Sequence, residues 1–444
     1  MAFSGLSEFK TLFSGGKAKS PYDKLFKVAV VDFLCSNNLD YAKHFYNRFA
    51  QNPMFEMVFV KDNFAKSFLN FQGRNFFEFI EKGNKILRQT HSDIVIWGYE
   101  EYGKIRLNFQ TPNQYNIPND PTFSLLDSLF LPLNYLTDAK NLPQAVAMII
   151  EGIIVAGTTP VTNLQKKHQA QILSDIIKNL AKDSSPKDIS REFMPYIMNM
   201  LGKLYLINNL KNLNANDVKI MADLFETALK NKQYMRLPIY YGIIYANMGQ
   251  LYEQAYMNES KNPQYLRLAI SYYQSAQKSM GRNYQYDFGS ISYHLGLMHF
   301  EFWKYGADLQ ALRDAVFYLR EAEKIYVSSQ FPRTWCHIEG LLGNYLTSLG
   351  MNADSPEIMQ MAINSYKQQQ KLYVLNEYPL QWAELQEKIG NVFYLLGKAR
   401  EDDNFMLEAK NYFNSAIGVY KEMKLKDKIV EAKRNLDKVH NYIQ

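Results

Sequence analysis

The residues able to do chemistry in this chain are few and scattered. Histidines stand at His44, His91, His168, His294, His299, His337 and His440. His294 and His299 are five apart, off the spacing of an H-x-x-x-H metal pair, so packed or exposed histidines on helices are expected. Cys35 and Cys336 are too few for a disulfide framework or a zinc site of their own and point to a reducing compartment. A serine nucleophile would announce itself in a G-x-S-x-G elbow, and none occurs. No Cys-His-Asp set is marked by local context. Phosphate binding after a first strand needs glycines at the strand-to-helix junction, which here reads Cys35-Ser36-Asn37-Asn38-Leu39. Gly15-Gly16-Lys17 has the tail of a Walker loop, yet Thr11 replaces its first glycine, Ala18 follows the lysine and no strand precedes it. The acidic pair Glu100-Glu101 falls in an expected hairpin turn, where solvation is the ordinary role. The chain is therefore expected to carry no catalytic residue, no cofactor and no metal.

Composition describes the body these residues belong to. The chain has 444 residues, 47% hydrophobic and 21% charged, which is globular, and its length allows about three domains. With Gly 22 and Pro 15, long flexible linkers are not expected. A net charge of +6, without a long single-sign run, is too mild to imply nucleic acid. The start of the chain lacks the pattern of a secretory signal. The most apolar window, Ala145 to Ala156, contains Glu151 and is shorter than the roughly 20 residues of a membrane span, so a buried helix and a cytoplasmic protein are expected. In residues 1–20, Phe3, Leu6, Phe9, Leu12 and Phe13 share a helical face beside Lys10, Lys17 and Lys19. A terminal helix docked on protein and ended by Gly15-Gly16 is the expectation; an interfacial helix on an acidic membrane is the alternative.

Two architectures follow one another. In residues 21–137, strands are expected at Lys27–Phe33, Phe55–Val60, Asp93–Tyr99 and Lys104–Phe109, with helices at Asp40–Ala50 and Asn75–Gln89. Phe123–Leu133 can add an edge strand. The order β-α-β-α-β-β predicts a small mixed sheet with helices packed on it, the third and fourth strands forming a hairpin. Residues 138–190 read as a helical connector or capping hairpin. From 191 to 444 the sequence repeats. Gly202, Gly249, Gly296, Gly343 and Gly390 are each 47 apart, and Ala222, Ala269, Ala315, Ala362 and Ala409 follow at 47, 46, 47 and 47. Pro238, Pro332 and Pro379 keep the same register, as do Trp335 and Trp382. Each unit reads as a helical hairpin in which glycine and alanine allow close approach, while Tyr272, Tyr318, Tyr366 and Phe413 fill the space beside the contact. About five such hairpins should stack with one continuous core, making the chain an α+β, two-domain protein.

The spacing Gly…Ala…aromatic…Ala resembles the tetratricopeptide (TPR) hairpin, with extra length between glycine and alanine. Pro379, Leu380, Trp382, Ala383, Gln386, Gly390 and Asn391 are similar to the opening of the long TPR variant of bacterial proteins, with Ile389 in the leucine place. The unit at Pro332 keeps Trp335, Gly343 and Asn344 but carries Cys336 and Glu339. The amino-terminal element order, with the DIVIWG hairpin at Asp93–Gly98, loosely resembles the amino-terminal domain of TolB. The TPR resemblance implies a superhelical solenoid whose inner groove is lined by residues one and four after each glycine. Those are Gln250 and Glu253, Leu297 and Phe300, Asn344 and Thr347, Asn391 and Tyr394. An amide suits a peptide backbone because it both donates and accepts, though a helix–helix hydrogen bond would equally employ Asn344 and Asn391. The 32 tyrosines and 28 phenylalanines are mostly expected in the core, although a stacking surface for sugars or bases is the sharper alternative. The expected function is a non-enzymatic scaffold that binds a protein or peptide. The alternatives are a sensor whose α/β domain binds a small molecule, and a peripheral membrane adaptor.

Overall fold

The computed structural model describes residues 26–35, 40–62, 76–101, 103–112, 128–133, 142–157, 194–209, 213–231, 235, 238–258, 261–282 and 284–443. The apolar face at residues 3–13, the junction at 36–39 and the second half of the capping hairpin lie outside them. The described chain parts into two compact units, residues 26–282 and 284–443.

The first unit opens with strand β1 (Phe26–Leu34), a run of β-branched and aromatic residues that packs on both faces of a sheet. Helix α1 (Tyr41–Phe49) follows, its first turn closed by the Asp40 carboxylate accepting from the Lys43 backbone N–H. Then come β2 (Phe55–Phe59), α2 (Phe76–Thr90), β3 (Ile94–Glu101), β4 (Lys104–Gln110) and β5 (Ser128–Pro132). The strand order is β2-β1-β3-β4-β5. β1 is parallel to β2 and β3, while β3–β4 and β4–β5 are antiparallel. The mixed sheet is thus the one expected, with the edge strand described over Ser128–Pro132. The β3–β4 hairpin is tighter than its sequence implied. Both strands reach Glu101 and Lys104, and Gly103 turns the chain with φ of 73°. Glu100 and Glu101 consequently lie in the strand, and Glu101 packs beside Arg106 instead of occupying a solvated turn.

Alternation along the strands gives the sheet two unlike faces. Ile94, Ile96, Ile105, Leu107 and Phe109 form one apolar face, where Phe33 packs on Phe45 of α1 at 5.7 Å. On the other face, Ala29, Val31, Val95 and Trp97 pack against Ile86 and Leu87 of α2. This second face turns polar along β4 and yet stays buried.

Among the described residues, five helices complete the first unit: α3 (Leu142–Gly157), α4 (Met194–Asn209), α5 (Ala215–Lys230), α6 (Pro238–Asn258) and α7 (Pro263–Met280). α4 pairs with α5 and α6 with α7, while α3 and β5 both pack on α4. Glu151 of α3 is buried beside Ile149 and Ile150, and burial pushes its carboxyl up to about 7. Among the described residues, no helix is long and apolar enough to cross a membrane.

The second unit is all helix: α8 (Gln285–Gly306), α9 (Leu309–Glu323), α10 (Pro332–Asn352), α11 (Pro356–Gln369), α12 (Pro379–Arg400), α13 (Asp403–Glu422) and α14 (Lys426–Ile443). Consecutive helices pack side by side, and α14 lies against α13 and α12. Pro332, Pro356 and Pro379 occupy the first turn of their helices, where the missing N–H costs nothing. The protein is therefore α+β, a small mixed sheet followed by helices packed consecutively.

Candidate functional site

The five repeat glycines all sit on the leading helix of a hairpin, and each lies under one large side chain of its partner helix. A Cβ on Gly202 would stand 2.6 Å from the Phe225 ring, on Gly249 2.5 Å from Tyr273, on Gly296 2.8 Å from Leu319 and on Gly390 3.1 Å from Phe413; on Gly343 it would meet Tyr366. The covering side chain occupies the space that a Cβ on the glycine would need. The residue that covers the glycine stands three places after the alanine in the first hairpin and four places after it in the others. The expectation therefore holds for Tyr366 and Phe413 and is corrected for the other two. Tyr273 and Leu319 cover the glycines, while Tyr272 stacks on Tyr252 at 5.5 Å and Tyr318 on His299 at 5.3 Å.

The eight groove candidates are placed as follows. Glu253 is buried, and its Oε2 accepts from the Tyr273 hydroxyl at 2.6 Å. Asn344 Oδ1 accepts from the Tyr366 hydroxyl at 2.8 Å, so the helix–helix bond forms there. At Gly249 and Gly343 the covering ring is thus tethered by a polar residue of the leading helix. Thr347 donates its hydroxyl to the Gly343 carbonyl. Phe300 stacks on Tyr345 with centroids 3.8 Å apart, and the Lys304 ammonium lies 5.3 Å from the centroid of the Phe300 ring. Tyr394 packs on the core of Ile389, Phe393 and Phe413. Gln250, Leu297 and Asn391 are half-buried. The structure therefore brings Glu253, Asn344, Thr347, Phe300 and Tyr394 into the repeat's own packing.

Polar bridges between successive leading helices escape sequence reasoning. Asn247 donates to Asn199 at 2.8 Å between α6 and α4, Tyr293 meets His337 at 3.0 Å between α8 and α10, and Asn435 donates to Glu387 at 3.2 Å between α14 and α12. Their spacings of 48, 44 and 48 residues approximate the repeat, which is the signal that could have found them. Burial raises the Glu387 carboxyl, opposed by the Tyr420 hydroxyl. Glu339 is buried in α10, and burial with the neighbouring Glu323 carboxylate pushes it up to about 7 against the pull of Ser365 and Arg320.

The polar side of β4 is the second candidate. Lys104, Arg106, Asn108 and Gln110 share one face, each at most 4% exposed. Arg106 donates to Tyr99 at 2.6 Å and Ser128 at 3.0 Å and pairs with Glu101 at 3.6 Å. Gln110 donates to the Ile80 carbonyl at 2.9 Å and to Asn84 at 3.1 Å, beneath Gly83 of α2. Next to this network, Phe130 of β5 packs on Tyr196 and Tyr240 at 5.5 and 4.3 Å. The cleft they line holds about 10 Å³, the room of a single water and not of a metabolite. In sequence this face looks like the solvated half of an alternating strand, which is why it was missed.

Among the described residues, no group of three or more His, Cys, Asp or Glu side chains could hold a metal ion. His299 stacks on Tyr318 with Nδ1 3.7 Å from Asp314, and burial lowers its pKa. No protein-family model and no curated protein matches this chain. Among the described residues, the geometry assembles packing surfaces and internal hydrogen bonds.

Proposed function

We propose that this chain is a non-enzymatic scaffold of the long tetratricopeptide kind, whose leading helices hold an extended or helical segment of a protein partner. One observation carries the reading: a glycine under a large side chain recurs every 47 residues on the leading helices of five hairpins. Stacked hairpins of this kind present a preformed surface, so little ordering cost falls on the scaffold when a segment docks. Within the second unit, Leu297 and Asn391 are the candidates with no internal role described above, and they are the residues assigned to contact the partner. On the bacterial resemblance, the setting proposed is a bacterial cytoplasm.

The test places a photo-crosslinking amino acid at Leu297 or Asn391 of the full chain in its native cells, with exposed Lys421 as control. Adducts from the first two positions to one segment of one protein, abolished by an arginine at the other position, are expected. Adducts from Lys421 alone would overturn the reading. A melting-temperature rise with a nucleotide or metabolite, without adducts, would replace it by ligand sensing.

A further inference from the structure

The loops that join successive hairpins of the second unit are built alike. Tyr326, Val327, Phe331 and Pro332 recur 47 places on as Tyr373, Val374, Tyr378 and Pro379. In the first loop the Val327 carbonyl accepts from the Gln330 and Phe331 N–H groups, and Phe331 meets Tyr326 edge-on at 5.1 Å. In the second the Val374 carbonyl accepts from Glu377 and Tyr378, and Tyr378 meets Tyr373 edge-on at 5.5 Å. Between α13 and α14 the Lys424 and Leu425 N–H groups donate to the Lys421 and Tyr420 carbonyls. Each loop therefore bonds its backbone internally while holding aliphatic side chains out. Val327 is 38% exposed, Val374 41%, Leu375 40% and Met423 38%. Because every one of these loops follows the second helix of a hairpin, they lie at one end of the packed helices, and the turns inside the hairpins lie at the other. Half-exposed Trp335 and Trp382 stand near the starts of α10 and α12, at the loop end.

The two ends differ in charge. At the loop end Arg320, Lys324 and Lys428 pair with Glu323, Glu321 and Glu384. Beyond these pairs it exposes Arg333, Lys367, Lys371, Lys421, Lys424 and Lys426 against Glu377, Glu422 and Asp427. At the turn end Lys304 pairs with Glu301 and Arg400 with Glu357, which leaves Lys398 against Asp308, Asp354, Glu401, Asp402 and Asp403. We propose that the loop end of the second unit is a docking surface for a bilayer rich in anionic lipid. Single apolar side chains scattered over a surface are ordinary; here they recur with each loop at one end, and the cations gather at that same end. Aliphatic tips enter the headgroup boundary, cations meet lipid phosphates, and tryptophan suits the interfacial depth. Internal bonding of the loop backbones lowers the cost of leaving water. A flat boundary meets all three loops at once, whereas one extended segment would have to span a whole hairpin between tips. No groove candidate lies in these loops, so the surface stands apart from the reading of the groove.

Flotation of the full chain with vesicles of phosphatidylcholine, with and without phosphatidylglycerol, tests the proposal. Wild type is expected to float with the mixed vesicles, less at physiological than at low salt, and to stay behind with phosphatidylcholine alone. Val327→Ser/Val374→Ser/Leu375→Ser and Lys421→Gln/Lys424→Gln/Lys426→Gln should each bind roughly tenfold more weakly. The whole chain carries +6, so controls remove the same charge or exposed apolar surface elsewhere. Lys219→Gln/Lys278→Gln/Lys398→Gln and Phe317→Ser/Leu407→Ser, all at exposed positions, should float as wild type. Circular dichroism checks that each variant keeps its helix. No flotation of wild type, or flotation of both loop variants at the wild-type level, would overturn the proposal. So would a photo-crosslinker at Val374 that labels a protein and no lipid in cells, which would assign the loop end to a protein partner.

Discussion

At the scale of single residues, the distance between a glycine and the ring above it decides how much that glycine matters. Gly249 lies under Tyr273, whose fully buried ring is anchored by its hydroxyl to Glu253 and cannot swing aside. An alanine there gains about 1 kcal/mol of helix propensity but overpacks a fixed ring, at about 1–3 kcal/mol. Gly249→Ala is therefore expected to lower stability by up to about 2 kcal/mol in urea unfolding. At Gly390 the contact with Phe413 is 3.1 Å and the ring has no hydroxyl to tether it. Gly390→Ala should fall within about 0.5 kcal/mol of wild type, because the propensity gain offsets a milder clash. Equal losses at the two sites would show that the ring contact is not the determining factor. Glu339 gives a second prediction. Its folded pKa is raised to about 7, above the ordinary carboxylate value of 4.5, so the folded state holds its proton more tightly. Stability is then fully present below the ordinary value and declines as pH rises through the folded one. Glu339→Gln should flatten that decline and exceed wild type above pH 7 by on the order of 1 kcal/mol, since half-exposed Arg320 and Glu323 screen the site. Melting temperatures from pH 5 to 8 measure it, and parallel profiles would refute it.

At the scale of elements, the turn inside each of the last four hairpins follows one rule. Lys261, Ala307, Asp354 and Glu401 all have positive φ, between 47° and 53°, and each is followed by a residue whose side chain caps the next helix: Asn262, Asp308, Ser355 and Asp402. A left-handed residue closes the first helix and a short acceptor opens the second. Side chains with a Cβ pay about 1–2 kcal/mol for that conformation, and glycine loses part of its advantage to the entropy of its unfolded chain. Exposed Ala307→Gly should thus stabilise by about 0.5–1 kcal/mol, while Asp308→Ala should destabilise by about 1 kcal/mol. Guanidinium titrations monitored by circular dichroism separate the two signs, and a loss at Ala307→Gly would refute the rule. Such punctuation is also why helix and strand positions were legible in advance. Pro332, Pro379 and Asp402 mark helix starts by their own backbone chemistry, and the runs around Val30 and Ile96 mark strands. The partners of polar groups were not legible. Whether Asn344 meets a peptide or Tyr366 depends on how two helices face, and no local property of Asn344 encodes that. The offset between Tyr272 and Tyr273 was lost for a similar reason: adjacent tyrosines are identical in type, and only the helix phase distinguishes the one over Gly249.

At the scale of the molecule, sequence composition separates a sheet region from a repeat region, while packing joins the sheet to the first hairpins. Phe130, at the edge of the sheet, is buried against Tyr196 of α4 and Tyr240 of α6. Lys104 of β4 lies 5.5 Å over the Tyr196 ring, and the network of Arg106, Asn108 and Ser128 continues beneath Phe130. A fragment of residues 1–137 would uncover these groups together. Exposing one buried aromatic costs about 1.5–3 kcal/mol, and leaving Lys104 and Arg106 at a new surface adds nothing to hold the edge strand. A small sheet has little stability to spare for such losses. That fragment should therefore bind a hydrophobic dye, lack a near-ultraviolet dichroism signal and melt without a cooperative transition. A fragment of residues 1–283 keeps α4 to α7 over the sheet and should unfold cooperatively. If the shorter piece instead unfolds sharply and with equal stability, the contacts of Phe130 are incidental, and the sheet is a domain in its own right.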